Sequence, residues 1–307
     1  YSQERATDMR QGLAHQMLTE KCEAIIMIDP QKEIDWNEIW KSRTRGNRNS
    51  SPGRDCARIW ESRESALRFW NMCLENSHRT EMVIRGTDIT ADSRVLDIGS
   101  GPGTLAIPFA GKVAHVTAVE PAQGMTDVLK EKMAEFGREN ISIVRKCWED
   151  VDVDVEKDLE PPYDVVIASF SLGMQEIRAA IEKMMQASSR YIYLYHFAGP
   201  SSWDRQWQEL WPLLHGKEYL PGPKSDVLYN VLYQMGIYPN VMTFGLEHNQ
   251  RYSTLDEAMV ALAPQAHAET DEQKALLREY LWETMQEEGG ALLMLSLIHI
   301  SEPTRPY

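Results

Sequence analysis

Two acidic side chains and three glycines are spaced in a way that suits a nucleoside-like ligand. Asp97 lies at the end of a buried apolar run, and Gly99, Gly101 and Gly103 follow at alternate positions. Glycine serves where the backbone turns with positive φ and where a ligand must lie directly against the chain. Glu120 ends a second apolar run, 19 residues after Gly101. A carboxylate at that place can accept hydrogen bonds from both ribose hydroxyls.

The sequence of the glycine loop limits the classes of ligand that it could bind. The dinucleotide fingerprint GxGxxG would place glycine at position 104, where this chain has Thr104. The Gly-Lys-Ser/Thr ending of a phosphate-binding loop is also missing from the sequence. Asp97 would repel a pyrophosphate but could hold an ammonium group through ordered water. These features favour a nucleoside that carries an amino acid and no phosphate, and they disfavour a nicotinamide cofactor.

The elements that must hold these residues alternate in type. The sequence predicts strands over 94–98, 115–119, 141–145, 163–169, 190–197 and 241–247, and helices over 103–110, 123–137 and 174–188. Strands that alternate with helices form parallel sheets covered on both faces. The fold class is therefore α/β: a doubly wound, mostly parallel sheet with an N-terminal helical cap and a helical insertion.

The chain resembles the class I S-adenosylmethionine-dependent methyltransferases over about residues 85–200. The resemblance rests on Val95–Gly103 and Val119–Pro121, with support from Cys147–Asp150 and Tyr163–Ser169. It implies a Rossmann-like sheet of seven strands whose last strand is antiparallel. It also implies S-adenosyl-L-methionine as the cofactor and methyl transfer as the activity.

The resemblance further implies which residues contact the cofactor. The methionine moiety is expected near Asp97, Gly99 and Gly101, the ribose near Glu120, and the adenine between the loops after the second and third strands. The whole expected set is Asp97, Gly99, Ser100, Gly101, Gly103, Glu120, Pro121, Trp148, Glu149 and Ser169.

One position departs from the family pattern. Many relatives have an aspartate after the third strand that bonds the adenine amino group, and Cys147 stands there in this chain. Trp148 would then offer its backbone N–H to the ring, and Glu149 or a neighbour is the candidate replacement for the acid. The Trp148 side chain fits an adenine wall and a core position equally well.

The domain organisation follows from composition and periodicity. Residues 1–85 are expected to be a helical cap or lid, with helices over 4–28 and 55–79 and a basic loop over 41–58. Residues 86–294 would be the cofactor-binding domain, with a helical insertion at 201–235. Its seventh strand is expected near 290–294. Residues 295–307 resemble a translated sequencing adapter and are expected to be a non-native tail.

The methyl acceptor is less defined than the cofactor. Direct displacement of a methyl group needs positioning and shielding from water, and a base only if the nucleophile arrives protonated. His196 is the candidate base, although a histidine in this setting also fits a structural role. Trp36, Trp40 and Tyr195 are the candidate substrate-binding residues. We expect a small or medium organic acceptor, with a protein side chain or a non-catalytic cofactor-binding module as alternatives.

The composition of the chain indicates which kinds of binding partner are disfavoured. The chain has 307 residues and a formal net charge of -14, which argues against nucleic acid or an anionic membrane as a partner. Its four cysteines form no paired metal-binding motif, so no metal is expected. No signal peptide or membrane span is visible, and a cytoplasmic location is expected.

Overall fold

Parallel strands and helices alternate along the part of the chain that positions the glycine loop. The computed structural model describes residues 34–50, 60–157, 159–247, 250–294 and 297–304. The described residues from Trp36 onward belong to one compact unit. The helix predicted over 4–28 lies outside the described residues.

The described strands are β1 (Arg94–Ile98), β2 (His115–Val119), β3 (Ile141–Val144), β4 (Tyr163–Ser169), β5 (Ser188–Phe197), β6 (Asn240–Glu247), β7 (Gln250–Tyr252), β8 (Gln286–Glu288), β9 (Ala291–Met294) and β10 (Leu297–Thr304). The described α-helices are α1 (Trp36–Ser50), α2 (Arg63–Glu75), α3 (His78–Gly86), α4 (Ala106–Ala110), α5 (Gln123–Glu135), α6 (Ile177–Ala187), α7 (Ser202–His215), α8 (Ser225–Gln234), α9 (Leu255–Leu262) and α10 (Asp271–Thr284).

The main sheet has the order β3-β2-β1-β4-β5-β10-β6. The first five of these strands are parallel, and β10 runs antiparallel to both β5 and β6. The predicted parallel α/β architecture is therefore confirmed. The predicted bounds of β1, β2 and β4 agree with the structure, and those of β3, β5 and β6 agree within two residues.

The sheet has an apolar core on each face. Leu96 and Leu194 belong to the core of one face, which we call the first face, together with residues of α1, α6 and α8. Val95 and Tyr195 belong to the core of the second face, together with residues of α2, α3, α4 and α5. Because side chains alternate along a strand, Asp97 projects from the second face.

The seventh strand was predicted in the wrong place. Ala291–Met294 pairs with β7 and β8 in a separate three-stranded sheet. Gly289 and Gly290 have φ of 60° and 75°, and two such residues make the tight turn that joins antiparallel strands. The hairpin therefore takes β9 away from the main sheet. The place between β5 and β6 is taken by Leu297–Thr304, from the segment expected to be a non-native tail.

The basic loop predicted over 41–58 is also wrong as far as Ser50, because α1 continues to that residue. Trp40 and Thr44 are buried on one side of this helix. Asn47 donates a 2.7 Å hydrogen bond to the carbonyl of Leu220, and Arg43 pairs with Asp226 at 3.1 Å. These contacts stabilise the helix despite its polar and glycine-containing sequence.

Residues 201–235, which were predicted to be a helical insertion, contain α7 and α8. Ser201 caps α7: its side chain accepts from the backbone of Asp204, and the Asp204 carboxylate accepts from the backbone N–H of Ser201. Apolar residues of α7 pack with α9 and α10 in a third core cluster. The domain boundaries themselves stay a prediction.

Candidate functional site

The glycine loop lies where β1 ends beside β2 and β4. Its three glycines have φ of 71°, 56° and 89° at Gly99, Gly101 and Gly103, a region that residues with a side chain seldom adopt. The N–H groups of Gly99 and Ser100 both donate to the carbonyl of Val119, at 2.8 and 3.2 Å. The loop is thereby attached to the end of β2.

The three glycines differ in what surrounds them. A Cβ at Gly99 would overlap the side chain of Ser171, and a Cβ at Gly103 would overlap Leu129 of α5. A Cβ at Gly101 would lie 3.9 Å from Met125 Sδ, its nearest neighbour. Gly99 and Gly103 are therefore required by packing, whereas Gly101 borders open space.

Asp97 is a buried carboxyl group with an altered pKa. It is 1% exposed. Burial raises its pKa to about 7, and the negative charge of Glu120 adds to that increase, while the positive charge of Arg79 opposes it. Its Oδ2 atom is buried and has no hydrogen-bond partner among the described residues. A buried acceptor of this kind is costly unless a ligand supplies a donor.

Glu120 joins the glycine loop to the start of α5. Its Oε2 accepts from the N–H of Gly101 at 3.0 Å, and its Oε1 accepts from the N–H of Ala122 at 2.9 Å. Burial raises the pKa of Glu120, and these two N–H groups oppose the increase. Each carboxylate oxygen has a second lone pair, so the predicted bonding to ribose hydroxyls is compatible with these contacts.

Two further oxygens at this edge of the sheet have no hydrogen-bond partner within the described ranges: Ser100 Oγ and Ser169 Oγ. Ser100 follows β1, and Ser169 ends β4, whose Ala168 pairs with Ile98. The neighbouring hydroxyl of Ser171 donates to the carbonyl of Ile98 at 2.6 Å. With Asp97 Oδ2, the edge therefore presents three buried oxygens that have no hydrogen-bond partner among the described residues.

The residues expected near the adenine lie beyond β3. Trp148 is 2% exposed and begins a short 3₁₀ helix. Its Nε1 donates to the carbonyl of Ala180 at 3.0 Å, and its ring lies in the core of the first face. Of the two roles considered for this side chain, the structure favours the core position. Glu149 is exposed, and Pro121, which follows Glu120, is partly buried.

His196 lies on the first face of the sheet, since it alternates with Tyr195 on β5. Its Nε2 is 3.0 Å from the carbonyl of Pro223, so Nε2 carries the proton and donates. Nδ1 has no hydrogen-bond partner in the described part of the chain. Burial lowers the pKa of His196 to about 4, so the ring is neutral at pH 7. Asp97 projects from the opposite face.

The three candidate substrate-binding residues are not brought together. Trp40 is fully buried beside His196, with ring centroids 5.5 Å apart, and its Nε1 donates to the carbonyl of Met174 at 2.8 Å. Trp36 packs against the same core on the first face. Tyr195 is 1% exposed and belongs to the second face. Whether any of them contacts a substrate stays a prediction.

Sequence reasoning missed a contact between α3 and the end of β4. The guanidinium carbon of Arg79 lies 5.2 Å from the ring centroid of Phe170. Phe170 has φ of 58°, and its N–H donates to the carbonyl of Tyr195 at 3.0 Å. The sequence carries no local signal for this pair, because the two residues are 91 positions apart and meet only in the folded chain.

A cavity of about 340 Å³ lies between α3 and β6. Phe244 contributes to its lining and pairs with Ile300, which in turn pairs with Phe197 at the end of β5. The cavity is therefore level with the carboxyl end of β5. Its lining also includes His78, Glu81, Met82, Arg85, Gly86 and Met242.

The described residues contain no cluster of three or more histidine, cysteine or acidic side chains suited to a metal ion. Among the described helices, none combines the length and the apolar character needed to cross a bilayer.

Comparisons with known proteins show similarity to methyltransferases. Residues 95–190 match the model of a family described as "Methyltransferase domain". The chain is 30% identical over 176 residues to an uncharacterized protein of Haemophilus influenzae, an alignment that covers 56% of this chain and 60% of that protein. It is 29% identical over 119 residues to a mitochondrial ribosomal RNA small subunit methyltransferase of Arabidopsis thaliana, covering 38% of this chain and 29% of that protein.

Among solved structures, the YcgJ protein of Bacillus subtilis superimposes with a TM-score of 0.50 at 16% identity. The match covers 75% of this chain and all of that one, and it supports the fold. The chain spans 60% of the length of the first of these curated relatives and 29% of the length of the second. Over residues 95–190 the chain is therefore similar to the methyltransferase domain that this family model describes.

Proposed function

We propose that this chain binds S-adenosylmethionine at the carboxyl ends of β1 and β2 and transfers its methyl group to a small or medium organic acceptor. The observation that carries the proposal is the buried Asp97 Oδ2, which has no hydrogen-bond partner among the described residues. It lies next to a loop that is held open at Gly101 by Glu120. The ammonium group of an amino-acid moiety would donate a hydrogen bond to this carboxylate.

The chain's residues fit the parts of this cofactor. Asp97 and Ser100 would accept hydrogen bonds from the ammonium group, and Gly101 would let the ligand lie against bare backbone. Glu120 would accept the ribose hydroxyls with the lone pairs that its backbone contacts leave over. Cys147 and Trp148 would lie beside the adenine through their backbone. When bound, the cofactor supplies a methyl group that is already activated by a sulfonium.

The protein's part in the reaction is then positioning and shielding. The loop after β4 is fixed by the bond from Ser171 to the carbonyl of Ile98, which holds Phe170 close to the glycine loop. His196 stays the candidate base, and Trp36, Trp40 and Tyr195 stay the candidates for contact with the acceptor. Because the pKa of His196 is about 4, it would be a weak base at neutral pH, and an acceptor that needs no deprotonation is favoured.

The size of the acceptor is suggested by the cavity between α3 and β6. A volume of about 340 Å³ is at the lower end of the range for small-molecule sites, which is about 300–1,000 Å³. Met82, Met242 and Phe244 give it an apolar lining. A protein side chain stays the alternative acceptor, and a module that binds the cofactor without turnover is a further alternative.

RNA is a second candidate acceptor, because the comparisons conflict with the expected exclusion of nucleic acid. Ribosomal RNA small subunit methyltransferases are among the relatives of this chain. The net charge of -14 is unfavourable for phosphate binding, but α1 carries three exposed arginines, Arg43, Arg45 and Arg48. The charge alone therefore does not decide between the two acceptor classes.

Two experiments test the proposal. Calorimetric titration with S-adenosylhomocysteine should show binding, with NAD as the matched control ligand, and binding of NAD alone would overturn the proposal. Incubation with methyl-labelled cofactor and a cell extract, followed by separation into small molecules, protein and RNA, then identifies the acceptor class. Label in the small-molecule fraction supports the organic acceptor, and label confined to RNA supports the second candidate.

A further inference from the structure

Arg79 is a half-buried cation on the same edge of the sheet as the three buried oxygens. It lies in the first turn of α3, and its guanidinium carbon stands 5.2 Å from the ring centroid of Phe170. Phe170 directly follows Ser169, and β4 is paired with β1 so that Ile167 is opposite Asp97. Arg79 therefore reaches the place where the glycine loop begins.

The contacts of Arg79 leave its charge uncompensated at close range. Its Nη2 is 4.0 Å from Cys73 Sγ, and the other contact seen is with the Phe170 ring. Among the residues that the structure describes, no carboxylate forms an ion pair with it. By contrast, Arg85 on the same helix pairs with Glu81 at 3.9 Å. A guanidinium that is half-buried without an anion is well suited to bind one from a ligand.

The backbone of Phe170 supports the same interpretation. A φ of 58° is uncommon for a bulky residue and is energetically unfavourable. This conformation places the ring under the guanidinium, where a cation–π contact restricts its position. Strain of this kind persists where the surrounding structure enforces it, and it is found preferentially at ligand sites.

We propose that Arg79 binds the carboxylate of the cofactor's amino-acid moiety, with Phe170 as the platform that holds the guanidinium in place. Asp97 would then hold the ammonium group of the same moiety, so the two side chains together recognise a zwitterion. The positive charge of Arg79 also acts on Asp97, whose pKa it lowers. The inference rests on the proposed function, because it assigns a residue to the cofactor site.

The test compares two ligands and three variants by calorimetric titration. The ligands are S-adenosylhomocysteine and its decarboxylated analogue, which keeps the nucleoside, thioether and amine. The variants are Arg79→Gln, Phe170→Leu and the control Arg68→Gln, whose parent side chain is 59% exposed. Circular dichroism and the melting temperature of each variant show whether it is folded.

We expect the wild-type protein to bind S-adenosylhomocysteine about 10- to 100-fold more tightly than the decarboxylated analogue. Arg79→Gln should lose most of that preference while its affinity for the analogue changes little. Phe170→Leu should lose part of the preference, and Arg68→Gln none. If Arg79→Gln keeps the wild-type preference, or weakens both ligands equally, the role of Arg79 is overturned while the proposed function stands. If the wild-type protein binds neither ligand, the proposed function itself fails.

Discussion

The Oε2 atom of Glu120 accepts a 3.0 Å hydrogen bond from the N–H of Gly101, so the end of β2 holds the turn that follows β1. The other oxygen of the same carboxylate accepts from Ala122 at the start of α5. One buried side chain therefore fixes both sides of the space in which the ligand is proposed to lie.

Replacing this carboxylate by an amide should weaken the fold and the binding of the cofactor together. In Glu120→Gln the amide NH₂ would face one of the two backbone N–H groups, which leaves a buried donor without an acceptor and costs about 1–3 kcal/mol. Urea denaturation measures the first effect, and titration with S-adenosylhomocysteine measures the second. Glu139→Gln, at an exposed position, is the control. Wild-type affinity in Glu120→Gln would rule out its proposed contact with the ribose.

Replacing single glycines by alanine should separate the effect of packing on stability from the effect of the loop on ligand affinity. Gly137 has φ of 61° with no atom within 4 Å of a built Cβ, so Gly137→Ala measures the cost of positive φ alone, which is about 1–2 kcal/mol. Gly99→Ala should be clearly less stable than Gly137→Ala, because its Cβ would overlap Ser171.

Gly101→Ala should match Gly137→Ala in stability but bind S-adenosylhomocysteine at least about 10-fold more weakly, because its methyl group would enter the open side of the loop. Thermal unfolding with and without the ligand gives both quantities. Equal affinity in Gly101→Ala and the wild-type protein would mean that the ligand does not approach this part of the loop.

Cofactor affinity should depend on pH through Asp97. The pKa of this group is about 7 in the absence of ligand, and only the ionised form attracts an ammonium group. The affinity for S-adenosylhomocysteine should therefore rise between pH 6 and 8 and level off above that range. Asp97→Asn should bind weakly at every pH and show no such rise. A wild-type affinity that is flat over this range would argue against an Asp97–ammonium contact.

The stability of the ligand-free protein should show two opposite dependences on pH. Asp97 has its pKa raised from 3.8 to about 7, so the stability it contributes is present at low pH and is lost as pH rises toward 7. His196 has its pKa lowered from 6.5 to about 4, so its contribution is present above pH 6.5 and is lost as pH falls toward 4. In the wild-type protein these two effects partly cancel.

Single variants should separate the two groups. Asp97→Asn leaves the His196 dependence, so its free energy of unfolding should rise more steeply from pH 4 to 6.5 than that of the wild-type protein. His196→Gln keeps a donor for the carbonyl of Pro223 and leaves the pH dependence that is due to Asp97. Its free energy of unfolding should therefore fall more steeply than that of the wild-type protein as pH rises from 4 to 6.5. Denaturant unfolding at pH 4.5 and 6.5 measures both. Parallel profiles for the three proteins would show that neither group titrates as stated.

The parallel strands could be predicted because each is a buried apolar run with a clear end. Every residue is buried in Val165–Ala168 and in Val116–Val119. A strand that is buried on both faces is a continuous apolar run, so it can be identified from its own sequence without knowledge of the strands beside it. The roles proposed for Asp97 and Glu120 were suggested by the sequence for a related reason, because each of the two residues comes directly after apolar residues of such a strand.

The parts that were missed depend on contacts that the local sequence does not show. The end of α1 is stabilised by Leu220 and Asp226, which are more than 170 positions away. The placement of β9 was decided by a turn at Gly289 and Gly290 rather than by its own apolar residues. Arg79 meets Phe170 across 91 positions, and no spacing rule along the chain predicts such a pair.

The unpartnered oxygens of Asp97, Ser100 and Ser169 also bear on how long the protein lasts in a cell. A buried polar atom without a hydrogen bond costs about 1–3 kcal/mol, and a ligand that binds only the folded chain adds stability in proportion to the logarithm of its concentration. Under the proposed function, a shortage of S-adenosylmethionine would raise the unfolded fraction and with it the rate of degradation. The abundance of the protein would then follow the supply of its methyl donor.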